Sequence, residues 1–149
     1  MAGGVIRQGD PGDLGAIEAL ENDLFEGDRL SRRSLRYFLR TPTAAVLVVP
    51  GAAGLDAYGL IAFRVNSRIA RLYSLAVASS ASGRGLGRRL LATCEDVAAK
   101  RGCGAMRLEV RADNAAAIRL YQAMGYARTG SETDYYEDGA TALRFAKAI

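Results

Sequence analysis

Between a strand-like run and a helix-like run stands Gly83-Arg84-Gly85-Leu86-Gly87-Arg88, with glycine at every second position. Glycine lets a backbone approach an anion with no Cβ in the way. The first turn of a following helix adds unpaired N–H groups and the positive end of its dipole. Arg84, Arg88 and Arg89 supply guanidiniums that can pair with phosphate oxygens. The chemistry implied is the seating of a phosphate-bearing cofactor. The dinucleotide fingerprint spaces its glycines differently and sits in a first strand–helix–strand unit. The ATP-type loop requires Gly-Lys followed by Ser or Thr, and this loop contains no Lys. Neither nucleotide motif fits.

The chain has no His, which removes His-based triads, His-ligated zinc and a His general base. Proton transfer must fall to carboxylates, Tyr, Lys, Cys or water. Cys94 and Cys103 lack the clustered spacing of a metal or redox site, and Cys94 falls on an apolar helical stripe as a buried thiol would. No metal is expected. The 149 residues, half of them hydrophobic, suit one packed domain over 1–149. The net charge is +4, and all but two of the twenty basic residues are Arg. That balance accommodates an anionic cofactor, an acidic substrate or RNA without choosing among them. Residues 1–4 lead straight into an apparent strand, so no secretory signal is read, and no apolar run is long enough to span a bilayer. A cytoplasmic chain without a membrane partner is the expectation.

The elements that must position the loop follow from hydrophobic periodicity. A short strand is read at 5–7. Asp10 then caps a helix with Pro11 at its first position, and Leu14, Ile17, Leu20 and Leu24 carry it to Phe25. A second helix over 31–40 gathers Arg29, Arg32, Arg33, Arg36 and Arg40 on one side and Leu35, Phe38 and Leu39 beside them. That basic side is either a solvated face or an electropositive wall beside a substrate cleft. Strands at 44–49, 58–65 and 69–77, joined by short turns, predict an antiparallel meander. The helix over 85–101 buries Leu86, Leu90, Leu91, Cys94, Val97 and Ala98, and Gly102 ends it at positive φ. Strand 106–111 alternates Met106, Leu108 and Val110 with Arg107, Glu109 and Arg111. Strand–helix–strand implies a parallel pair with a right-handed crossover. Asp113-Asn114 caps a helix through Ile118, Tyr121 and Met124 that stops at Gly125, and 126–133 with 140–147 close the chain as a hairpin. The fold class is α/β (α+β): a mixed, largely antiparallel sheet of six to seven strands with a central parallel pair, flanked by four helices on both faces.

The glycine loop after Leu75-Ala76-Val77 resembles the acetyl-CoA pyrophosphate loop of the GNAT acetyltransferase superfamily. The run from Asn114 through Ile118, Leu120, Tyr121 and Gly125 to Tyr126 resembles that family's second signature. Leu108-Glu109-Val110-Arg111-Ala112, Asn114 and the Tyr135-Tyr136 pair are most similar to the RimI-type ribosomal-protein alanine N-acetyltransferases. Ser82 stands where the family loop usually opens with Gln or Arg, and the N-terminal third matches the RimI type only loosely.

The resemblance implies that Leu75, Ala76 and Val77 meet the pantetheine arm and thioester, and that amides of Gly83, Arg84, Gly85, Leu86, Gly87 and Arg88 hold the pyrophosphate. It places a general acid at Tyr121 and a general base at Glu109. Tyr121 equally suits a core tyrosine, and Arg107 or Arg111 could hold Glu109 as a plain ion pair. Asn114 either caps its helix or contacts the cofactor. Tyr135 and Tyr136 either bind an entering peptide or are exposed hairpin residues. The implied activity is direct acetyl transfer from acetyl-CoA to a primary amine, foremost a protein or peptide N-terminus such as that of a ribosomal protein. Acetylation of a small amine (polyamine, amino acid or antibiotic) is the alternative within enzymes. A non-catalytic acyl-CoA-binding module, or RNA docking through the Arg29–Arg40 side, are the others, with nucleic acid not the expected partner. Either a monomer or a homodimer is compatible.

Overall fold

The computed structural model describes residues 4–25, 27 and 29–149. The 1–3 portion of the lead-in read from sequence lies outside them. The elements are β1 (Arg7–Gln8), α1 (Leu14–Leu24), α2 (Arg32–Arg40), β2 (Ala44–Gly51), β3 (Gly54–Ala62), β4 (Ile69–Val77), α3 (Leu86–Lys100), β5 (Ala105–Arg111), α4 (Ala115–Ala123), β6 (Ala127–Glu132) and β7 (Ala142–Ala148). The strands form one seven-stranded sheet in the order β1-β2-β3-β4-β5-β7-β6. Among the described residues only β4 and β5 pair in parallel. One core, with Leu86, Leu90, Leu91 and Cys94 of α3 and Tyr121 of α4, lies on one face. The other face carries Leu14, Ile17 and Leu20 of α1 and Leu35 of α2. The fold class is the one read from sequence.

Local chemistry explains the entry into α1. Asp10 accepts from Gly12 N at 2.8 Å, and Asp13 accepts from Asp10 N at 2.8 Å, a reciprocal cap around Pro11. Arg7 then grips Asp13 through two hydrogen bonds of 2.9 and 2.8 Å, tying β1 to the helix start. The Arg7 hydrogen bonds hold the Asp13 carboxyl below the ordinary carboxylate range. A folded-state pKa below the unfolded value means stability that is complete above about pH 4 and lost as pH falls through the folded value. Asp13→Asn is expected to cost about 1–2 kcal/mol in urea melts at neutral pH. It should also flatten the loss of stability below about pH 4. An unchanged acid limb would remove Asp13 from that linkage.

Where the elements depart from the sequence reading, long-range pairing is the cause. Of the Val5-Ile6-Arg7 run Arg7 alone joins β1, opposite Val48, and the strand goes on to Gln8 opposite Leu47. β2 continues through Pro50 because the register shifts between Val49 and Pro50 and leaves the proline at an irregularity. β3 begins at Gly54, four residues ahead of the apolar run, because Gly51 and Gly54 pair directly and Gly54 adopts φ +118°. Its C-terminal end comes early: Val65 and Asn66 form the turn, with Asn66 at φ +64° and Ser67 N bonded to Arg64 O. The closing hairpin is present, but β7 inserts between β5 and β6. α2 buries Leu35 and turns Arg32, Arg33, Arg36 and Arg40 outward.

Candidate functional site

The sheet opens at its centre. The parallel ladder pairs Ile69, Ala70, Arg71 and Leu72 with Ala105, Met106, Arg107 and Leu108 and goes no further, although β4 runs on to Val77 and β5 to Arg111. A bulge begins the parting: Ile61 faces Leu72 and Leu60 faces Ser74, so Tyr73 is the extra residue. Beyond it, Ala78 N donates to Asp56 O at 2.8 Å. By the antiparallel alternation, Ala76 opposite Tyr58 also points its peptide groups at β3, while those of Leu75 and Val77 face the slot between β4 and β5.

The glycine loop sits at the end of this slot. Gly83 and Gly85 adopt φ +79° and +72°, and a Cβ at either would meet nothing within 4 Å, so dihedral freedom rather than space selects glycine. Gly85 caps α3 and brings no side-chain bond. The first helical bond runs from Arg89 N to Gly85 O, which leaves the N–H groups of Leu86, Gly87 and Arg88 ahead of the ladder. Ser82 bonds back to Ser79 O at 2.8 Å, closing the turn that leads into the loop. A Cβ on Gly87 would lie 3.5 Å from Val77 and from Leu120, which brings α4 against the same helix start. Arg84 bonds Ser80 O and Arg89 bonds Gly4 O, and both remain exposed with Arg88. Orphan amides, a 15-residue helix and three arginines fit a diphosphate.

Asn114 caps α4 by accepting from Ala117 N at 3.1 Å, so the capping use is the one observed. That cap sets the phase of α4 and turns Tyr121 inward, where it is 7% exposed. Its ring meets Tyr126 edge-on at 5.8 Å. Burial, with Cys94 and Tyr136 nearby, pushes the phenol above its ordinary range. Burial also drives the Cys94 thiol up to about 12. No hydrogen-bond partner for the Tyr121 hydroxyl is found among the described residues, so a phenol that holds its proton is available to donate.

Glu109 is the first β5 residue past the ladder, and its side chain is 6% exposed. Three arginines surround it: Arg71 at 2.8 Å, Arg107 at 3.1 Å and Arg144 at 3.6 Å. The Arg71 approach is close but misaligned, and among the described residues Glu109 Oε1 and Arg71 Nε are both buried without a hydrogen bond. Of the two neighbours named from sequence, Arg107 joins Glu109 whereas Arg111 binds Asp113 and Asp138. Tyr135 belongs to this group: its hydroxyl accepts from Arg71 at 3.3 Å, and Arg144 lies 5.8 Å from its ring centre. Tyr136 stacks edge-on against Tyr135 at 5.0 Å and lies under Arg111.

Sequence reasoning missed Arg71 and Arg144, which reach Glu109 from other strands. It also missed Glu21, 2% exposed on the core side of α1 and bonded by Tyr58 and Ser74 one residue before Leu75. Glu21 does have a signal, since it follows Ile17 at helical spacing inside an apolar stripe. Among the described residues no three His, Cys, Asp or Glu side chains gather as a metal site, and no helix is long and apolar enough to cross a membrane.

The family profile described as "Acetyltransferase (GNAT) family" matches residues 15–126. The chain belongs to the GNAT acetyltransferase family. An uncharacterized N-acetyltransferase from Methanocaldococcus jannaschii is 30% identical to this GNAT chain over 96% of it and 90% of that protein. The ribosomal protein bS18 alanine N-acetyltransferase of Escherichia coli is 43% identical over 45% of each chain. The match spans less than half the length of the first curated relatives. A crystal structure of that E. coli enzyme superposes with TM-score 0.85 and 28% identity, covering 97% of this chain and 93% of that one. A nourseothricin acetyltransferase structure gives TM-score 0.78 at 28% identity, covering 97% of both.

Proposed function

We propose that this GNAT domain transfers acetyl from acetyl-CoA to a primary amine, with the N-terminus of a protein or peptide as acceptor. The observation that carries the reading is the slot between β4 and β5, which ends at the uncapped start of α3. A diphosphate held by the amides of Gly83 to Arg88 leaves its pantetheine arm to run along the free edge of β4. There the peptide groups of Leu75 and Val77 can bond it, and an N–H aimed at the thioester oxygen stabilises the charge that develops on attack.

The amine nitrogen attacks the thioester carbon, the C–N bond forms, and the C–S bond breaks. Glu109 takes the proton the amine gives up, directly or through a water, and Tyr121 delivers a proton to the departing sulfur. The phenol is suited to this because its burial keeps it protonated. Glu109 and Tyr121 lie toward opposite faces of the sheet, and the slot is where both can reach one reacting group. A protein acceptor is favoured by the similarity to the E. coli ribosomal-protein enzyme over nearly the whole fold. In this reading Tyr135 and Tyr136 bond an entering peptide, supported by the contact of Tyr135 with Arg71 and its stacking on Tyr136. The nourseothricin enzyme supports the small-amine alternative at a lower TM-score.

The test is thiol release from acetyl-CoA with N-terminal peptides and small amines side by side. Turnover on peptides is expected, and turnover on small amines alone would overturn the peptide acceptor. Gly85→Ala should weaken acetyl-CoA binding. A side chain at φ +72° strains the loop by about 1–2 kcal/mol, equivalent to about 5–30-fold in Kd by titration calorimetry. An unchanged Kd would dissociate the loop from cofactor binding.

A further inference from the structure

Three guanidiniums gather on the one carboxylate of Glu109. Arg144 has Glu132 at 2.8 Å as its own partner. Among the described residues Arg71 and Arg107 have ion pairs with Glu109 alone, so two guanidiniums share one carboxylate. Their side chains are 32% and 43% exposed, open to a ligand, while the carboxylate is almost fully covered. Among the described residues the buried Arg71 Nε has no acceptor. The hydroxyl of Tyr135 and the ring of Tyr73, 4.6 Å from the Arg71 guanidinium, bracket the same surface.

Resting on the peptide reading above, we infer that the preferred acceptor carries an Asp or Glu side chain at its second or third residue, bound by Arg71 and Arg107. The spacing suits this. Glu109, where the amine gives up its proton, and Arg107 are two residues apart on one strand face, about 7 Å along the sheet. An extended peptide advances about 3.3–3.6 Å per residue, so a carboxylate one or two residues beyond the terminal amine reaches the arginines. The arrangement reads both ends of a dipolar segment: ammonium toward Glu109, carboxylate toward the guanidiniums. A cationic second residue meets uncompensated like charge and is rejected.

The experiment compares kcat/KM for short peptides that differ only in having Asp, Asn or Lys at the second or third position. The Asp peptide is expected to exceed the Asn peptide by about tenfold and the Lys peptide by more. The ratio should shrink as salt is raised from about 0.05 to 0.5 M. Arg107→Gln should bring the Asp-to-Asn ratio to near parity, chiefly through KM. Arg128→Gln, on edge strand β6, should leave the ratio intact and so separates a local effect from net charge. Parity among acetylated peptides, a Lys preference, or an Arg107→Gln ratio equal to that of the wild type overturns this inference and leaves the peptide reading standing. Absence of turnover on every peptide while acetyl-CoA still binds overturns both.

Discussion

Tyr121→Phe is expected to lower kcat by about 10²-fold or more while the acetyl-CoA Kd and the melting temperature barely move. The separation follows from how the residue is held. Its ring packs in the core beside α3 and against Tyr126, contacts that phenylalanine preserves. Its hydroxyl has no partner among the described residues, so deleting it orphans no buried group there. The loss should be confined to the step in which sulfur departs. An acyl donor with a better-leaving thiolate should therefore recover part of the rate. A kcat within about threefold of wild type would remove Tyr121 from the mechanism, since acid catalysis of any consequence exceeds that.

Glu109→Gln is the second large effect, and here activity and stability move together. Gln keeps the shape of the side chain but withdraws the charge shared by Arg71, Arg107 and Arg144. Those guanidiniums are about a third or more exposed, so water takes up much of the imbalance. A stability loss of about 1–2 kcal/mol is expected on denaturant unfolding. The fall in kcat should be larger, about 10²-fold, if Glu109 accepts the amine's proton. Arg107→Gln serves as the control, because it disturbs the same ion pairs without removing the carboxylate. If both variants lose kcat equally, Glu109 acts by organising arginines rather than by moving a proton.

Local signals in the sequence were faithful wherever local chemistry decides. The Asp10 and Asn114 caps, the positive φ of Gly102 and the alternation along β5 all follow from neighbours a few residues away. The parallel β4–β5 pair was legible because a helix between two strands forces the crossover. What escaped was set by partners distant in the chain. Gly54 to Ala57 join a strand because Gly51 and the residues before Ala78 pair with them, not because they look apolar. Arg71 and Arg144 converge on Glu109 from the two strands that flank β5, an arrangement that depends on β7 inserting next to β5. Arg111, two residues from Glu109 and on its face, is drawn off by Asp138 in the loop before β7.

The slot between β4 and β5 also bears on how this protein tolerates change. The recognition groups proposed at Leu75, Val77 and the start of α3 are main-chain amides, which every residue except proline supplies alike. Side chains there can drift as long as their volume and the two left-handed glycines are kept, so dissimilar sequences can share one cofactor site. Alanine at Leu75, Val77 or Leu86 reports packing and is blind to main-chain recognition. Replacing single amides by esters, which deletes one N–H and nothing else, is the substitution that reads it.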